Sequence, residues 1–275
     1  MKSALTLLLC LCALTGCGSS GNESSNITGA LSGNWQMTLV RHNDATQFLY
    51  SGFLLQSGNS ITGSLILNAG NGCGGVGPVT GTVNGQNFQM DVNDFGGDLS
   101  LTGSLPTSGS STASSSAISM SGQFSTLANG CNFFSSSSGT WTAIQVAPIS
   151  GSFHGTFVST EGNGTLTVTG TLNQSANIGA SNAQLSGTIA ASSSGTPFCP
   201  YLTTATISGI ISGTTITVNL YGPNGAQIGA IPAGGAPLLA GTVTPDGKSL
   251  SGSYKLFELS SACLQDEGNM AITFP

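Results

Sequence analysis

The chain has 275 residues, of which 4 are Lys or Arg and 10 are Asp or Glu, giving a formal net charge of −6. With 5% charged residues and no basic surplus it has nothing to attract a phosphate backbone, which excludes nucleic-acid binding. Its 41 glycines and many serines would suit a disordered chain, but the apolar residues are numerous and regularly spaced, so the bulk of the sequence is read as folded.

The first element is an export signal. Lys2 supplies its positive charge, and Ala4 to Leu14 form an apolar run too short to span a bilayer. Leu14, Thr15, Gly16 and Cys17 then place a branched residue and two small ones before a cysteine. This tetrad resembles the bacterial lipobox. The resemblance implies cleavage after residue 16, a diacylglycerol thioether on Cys17 and a further acyl chain such as palmitate on its amine. Two or more chains hold a protein stably on a membrane, because each buried methylene adds about 0.8 kcal/mol. Gly18 follows the cysteine, where an aspartate would imply inner-membrane retention, so the analogy favours the outer membrane of a bacterial cell envelope. Residues 17–30, with the stretch GSSGNESSNITG, read as a flexible lipidated tether.

Beyond the tether the sequence is duplicated. LSGNW at 31–35 returns as ISGSF at 149–153, and the features that follow each keep the same order, which defines units at 31–147 and 148–275. Cys10 and Cys12 leave with the signal and Cys17 is the anchor, so Cys73, Cys131, Cys199 and Cys263 remain. Export places them in an oxidising compartment, where an even set reads as disulfides. The duplication pairs Cys73 with Cys131 and Cys199 with Cys263, one bridge per unit. No two of them lie at zinc-ligand spacing, and neither a metal nor another cofactor is expected.

In chain order the first unit offers strands at 33–40, 53–58, 61–67, 79–85, 87–92, 99–105, 117–124 and 139–144. The second offers 151–159, 165–174, 184–191, 205–212, 215–222, 238–245, 249–257 and 269–274. Many carry one word: an apolar residue, Ser or Thr, Gly, any residue, an apolar residue, as in ITGSL, LTGSL, VTGTL and LSGTI. Period-two alternation turns Leu166, Val168, Gly170 and Leu172 to one face and Thr165, Thr167, Thr169 and Thr171 to the other. Glycine on the buried face weakens a flat sheet but lets a coiled one bend, with a large neighbour filling the gap. The expectation is therefore all-β, with two tandem antiparallel eight-stranded up-and-down barrels; the alternative is a pair of β-sandwiches. A single sixteen-stranded membrane pore would show aromatic girdles, which these strands lack.

A first strand with Gly33, Asn34 and Trp35, eight glycine-marked strands and a closing Gly139, Thr140 and Trp141 resemble the calycin barrels, the lipocalin-like and avidin-like proteins. The resemblance implies that Trp35 plugs one barrel end and that Phe153 does so in the second unit. Avidin-like biotin sites need several tryptophans, and Trp35 and Trp141 are the only two here.

Chemistry is sparse. No G-x-S-x-G elbow occurs; His42 sits beside Asp44 in a charged loop, and His154 is expected to point outward from a strand. Asp91, Asn93, Asp94 and Asp98 in DVNDFGGD resemble a calcium loop but put Phe95 at a ligand position, and are read as a polar hairpin turn. The long segment 222–237 would cap a barrel mouth or meet a partner, or be no more than a long hairpin loop. The reading that follows is a non-catalytic, lipid-anchored envelope protein that binds a small apolar ligand or a protein partner. A structural or adhesive component with filled barrels is the alternative, and a hydrolase using His42 or His154 the third.

Overall fold

The computed structural model describes residues 29–68, 75–94, 97–105, 118–126, 136–175, 180–193, 202, 204–223, 225, 228, 239–256 and 266–275. Cys17 and the four cysteines expected to pair lie outside these residues. The strands of the first half are β1 (Gly33–Arg41), β2 (Gln47–Ser57), β3 (Ser60–Leu67), β4 (Val76–Asn84), β5 (Asn87–Asp94), β6 (Gly97–Ser104), β7 (Ser119–Thr126) and β8 (Ser138–Val146). Those of the second are β9 (Gly151–Ser159), β10 (Thr165–Gln174), β11 (Ala183–Ser193), β12 (Ala205–Ser212), β13 (Thr215–Tyr221), β14 (Leu239–Val243), β15 (Ser249–Leu256) and β16 (Asp266–Thr273).

Each half closes on itself. Neighbours in sequence are neighbours in space and run antiparallel, β1 pairs with β8, and β9 pairs with β16, so the chain forms two eight-stranded barrels. The sandwich alternative fails on those two closing ladders, because an open sheet would leave β1 and β8 unpaired. The expected alternation holds along β10, where Leu166, Val168 and Leu172 are buried and Thr165, Thr167, Thr169 and Thr171 are exposed.

Glycines make the closure possible. A Cβ added to Gly103 would lie 2.8 Å from the Trp141 ring and 2.9 Å from that of Phe88, and one on Gly170 would lie 2.6 Å from the Phe153 ring. Aromatic rings thus occupy the space the glycines leave, and the wall can coil tightly enough to close. The two halves use the device in register: Gly103 faces Gly122 across β6 and β7, and Gly241 faces Gly252 across β14 and β15.

The same end of each barrel is sealed by the residues that precede its first strand. Leu31 is fully buried in the first core, its N–H donates to Gln56 Oε1 at 3.2 Å, and its carbonyl accepts Trp35 Nε1–H at 2.8 Å. Ile149 does the same in the second, its N–H donating to Gln174 Oε1 at 3.1 Å. Ser32 and Ser150 accept from the backbone N–H of Gln56 and Gln174 respectively.

The barrels are docked. The β12–β13 turn, with Gly213 at φ 55°, rests on the outer face of β1 and β2. Asn34 Nδ2 donates to the Gly213 carbonyl at 2.8 Å, and the Gly213 N–H donates back to Asn34 Oδ1 at 2.7 Å. Gln36 Oε1 accepts from the N–H and the hydroxyl of Thr214, both at 3.3 Å. Ser212 Oγ donates to the Ser181 carbonyl at 2.6 Å, so the 2.8 Å contact between Ser51 and Ser212 has Ser51 as donor. Phe53 turns outward from β2 into the hydrophobic cluster of the second barrel. The Ala147 N–H donates to the Pro245 carbonyl at 2.9 Å, within the tight turn that the PDG sequence predicts.

Several strands start earlier than the alternation predicts, β2 by the most: it begins at Gln47, not 53, while β4 begins at Val76, not 79, and β16 at Asp266, not 269. In β2 the run Tyr50 to Leu54 is buried throughout, since one face meets its own core and Phe53 meets the other barrel. Two-sided burial erases a period-two signal.

Candidate functional site

The interior comes first, because an eight-stranded barrel has room for side chains or for one small ligand. Among the described residues the largest fully buried side chains are Trp35, Trp141, Tyr50, Tyr254 and Phe157, all inward on their strands. Trp35 lies one turn of chain from the Leu31 seal. Trp141 Nε1 lies 3.1 Å from the carbonyls of both Thr102 and Gln123, and its ring packs at 5.9 Å from that of Phe88. Phe153 is buried and meets Phe274 edge-on at 6.0 Å.

The far end of the second barrel, where β9 ends and β16 begins, holds a buried carboxylate. Asp266 is fully buried; it accepts from Tyr254 Oη at 2.6 Å, Ser159 Oγ at 2.5 Å and Asn163 Nδ2 at 3.0 Å. Its neighbour Glu267 pairs with Lys255 at 2.9 Å, and Glu161 completes a concavity of about 490 Å³. Every buried side-chain polar atom among the described residues has a partner, and Asp266 ties the β9–β10 turn to β9 and β15. Nothing in LQDEGN announces this in sequence. Its signature is spatial, three donors from β9, β15 and the turn between β9 and β10.

Burial first, and then the facing Asp266 carboxylate, push the Tyr254 hydroxyl well above its ordinary value near 10. Its stacking on Phe157 at 4.9 Å keeps it there. A folded-state value above the unfolded one contributes stability that is complete below about pH 10 and is lost as pH rises further, since the unfolded chain gives up the proton first. Unfolding of the wild type should therefore ease above about pH 10 more steeply than that of Tyr254→Phe, measured by urea denaturation across pH 8 to 11. Parallel curves for the two proteins would remove this role.

The residues singled out for chemistry do not converge. His42 is exposed at the β1–β2 connection; the nearby Asp44 carboxylate is held below the usual range first by Thr46 and then by Arg41, whose guanidinium lies 3.0 Å away. His154 is exposed on β9 of the other barrel, opposite Thr169 and Thr273. Asn93 pairs with Asp98 across the β5–β6 hairpin, as the polar-turn reading expects. No group of three metal-binding side chains occurs among the described residues. Most of 222–237 lies outside them, but Ile228 is buried in the second core, its N–H donating to the Leu220 carbonyl at 2.8 Å.

Two further concavities lie on the outer walls. One of about 530 Å³ sits over β4 to β7, and one of about 540 Å³ lies between the threonines of β10 to β12 and the residues Gly222, Pro223 and Gly225. Compared with protein-family models, curated proteins and solved structures, the chain matches none of them. Among the described residues no helix is long and apolar enough to cross a membrane.

Proposed function

We propose that the chain is a non-catalytic, lipid-anchored component of a bacterial cell envelope. Its two calycin-like barrels form a filled support, and their outer walls make its contacts. The observation that carries this reading is the interior: Trp35, Trp141, Tyr50, Tyr254 and Phe157 occupy the space in which a barrel of this size would hold a small apolar ligand. Filled barrels favour the adhesive or structural alternative over an internal binding pocket, and leave a protein or polymer partner as what the protein recognises. The exposed, well-separated positions of His42 and His154 weigh against a hydrolase.

Anchoring rests on Leu14, Thr15, Gly16 and Cys17, and Gly18 favours the outer membrane. The strand topology supports one bridge per barrel. The β3–β4 connection carrying Cys73 and the β7–β8 connection carrying Cys131 leave the same end of the first barrel. Those carrying Cys199 and Cys263 leave the corresponding end of the second, which is opposite to the end docked on the first barrel.

Intact mass measurement and membrane fractionation test the reading together. The expected product begins at Cys17, carries diacylglycerol and an acyl chain, shows the mass deficit of two disulfides and sediments with membranes. Cys17→Ser should move it to the soluble fraction. A wild-type protein that is unlipidated and soluble would overturn the anchor.

A further inference from the structure

We propose that the outer wall of the first barrel carries a binding site for a neutral saccharide, centred on the paired glycines Gly103 and Gly122. The inference deepens the proposed function by naming what the wall recognises, and it rests on that reading. The site is the open, shallow concavity of about 530 Å³ over β4 to β7.

Its floor is bare backbone. Gly103 and Gly122 face each other across β6 and β7, and neither tolerates a side chain: a Cβ at Gly103 would strike Trp141 and Phe88, and one at Gly122 the Thr102 carbonyl. Around that floor stand outward-facing groups from separate strands, among them Thr82, Asn87, Gln89, Thr102, Ser104 and Gln123, all exposed. Ser104 Oγ donates to Asn87 Oδ1 at 3.2 Å, which tethers that carboxamide across the β5–β6 ladder. Trp141 braces the floor from inside, its indole N–H shared by the carbonyls of Thr102 and Gln123.

The lining decides the ligand class by charge. Among the described residues no ionisable side chain borders the concavity, so none of them would stabilise an anion or a cation there. Hydroxyls and carboxamides ring a lining that also exposes carbon, a mixture that suits the hydroxyl edge and C–H face of a sugar better than a wholly apolar molecule. A carboxamide offers one acceptor and two donors in a plane, and adjacent hydroxyls on a sugar ring each donate and accept, so the two match. The open backbone floor admits the flat C–H face of such a ring. With no exposed aromatic platform among the described residues each site is weak, and a lipid-anchored population meeting a repeating polymer would gain by multivalency.

The test uses the full chain, 15N-labelled, in a zwitterionic detergent free of sugar groups. It is titrated with soluble hexasaccharides of glucose and of N-acetylglucosamine, and with hexagalacturonate as the anionic arm. The expected result is saturable shifts of the side-chain amide signals of Asn87, Gln89 and Gln123 with at least one neutral sugar. Gln123→Ala and Gln89→Ala should each weaken binding about five- to tenfold, roughly the loss of one net hydrogen bond, with the fold unchanged by circular dichroism. Three results would overturn the site: no shifts with either neutral sugar, shifts confined to the second barrel, or equal binding of hexagalacturonate. Each of these leaves the envelope reading standing, because that reading is judged by lipidation and fractionation; a soluble, unlipidated protein that still binds sugar would sink the envelope reading alone.

Discussion

Replacing Trp141 with alanine should lower the stability of the first barrel by about 3–5 kcal/mol, the usual cost of emptying a large aromatic site in a core. The ring is buried to 1% exposure, fills the space above Gly103 and leans on Phe88. Trp141→Phe keeps most of the volume and loses the N–H shared by two carbonyls, so about 1–2 kcal/mol is expected for it. Urea unfolding measures both. With Trp141 gone, Trp35 is the one tryptophan left in the chain, and its fluorescence reports the first barrel alone. A loss below about 1 kcal/mol for Trp141→Ala would mean that the wall closes without its ring, against the glycine-and-aromatic account of the fold.

That account was open to inspection in the sequence because it depends on local pattern. Alternation sorts Leu166, Val168 and Leu172 from the threonines between them, and the glycines on the apolar side, useless in a flat sheet, point to a coiled one. The duplication supplied the count, and both halves close at eight strands. The seals at Leu31 and Ile149 sit at matching places in the repeat, yet neither belongs to a strand, so periodicity has nothing to say about them.

What depends on distant parts of the chain was hidden. Asn34 and Gln36 occupy outward positions on β1, where a polar residue facing solvent and one facing another barrel look the same. The repeat does hold a faint signal. Asn34 and Phe53, opposed across β1 and β2, correspond to Ser152 and Thr171, opposed across β9 and β10, and the latter pair is exposed. An outward phenylalanine in one copy against an outward threonine in the other marks the wall that is covered. Asp266 was missed for a related reason: an acidic residue beside Glu267 reads as a solvated loop until Tyr254, Ser159 and Asn163 are brought around it.

The covered wall yields the second large effect. Asn34→Leu removes the partners of both backbone groups of the buried Gly213, leaving its N–H and carbonyl unsatisfied, and each orphaned group costs about 1–3 kcal/mol. The turn cannot rotate to find new partners, because Thr214 remains tied to Gln36 and Ser212 to Ser51 and Ser181. The expected outcome is a docking interface weakened by about 2–4 kcal/mol, with both barrels still folded. Backbone 15N relaxation would then give the halves separate, shorter correlation times, and unfolding would split into two transitions. Ser152→Leu, at the matching exposed position of the second barrel, should change neither. Should Asn34→Leu tumble as the wild type does, the carboxamide clamp is dispensable, and Phe53 with the Gln36, Ser51 and Ala147 hydrogen bonds holds the barrels together.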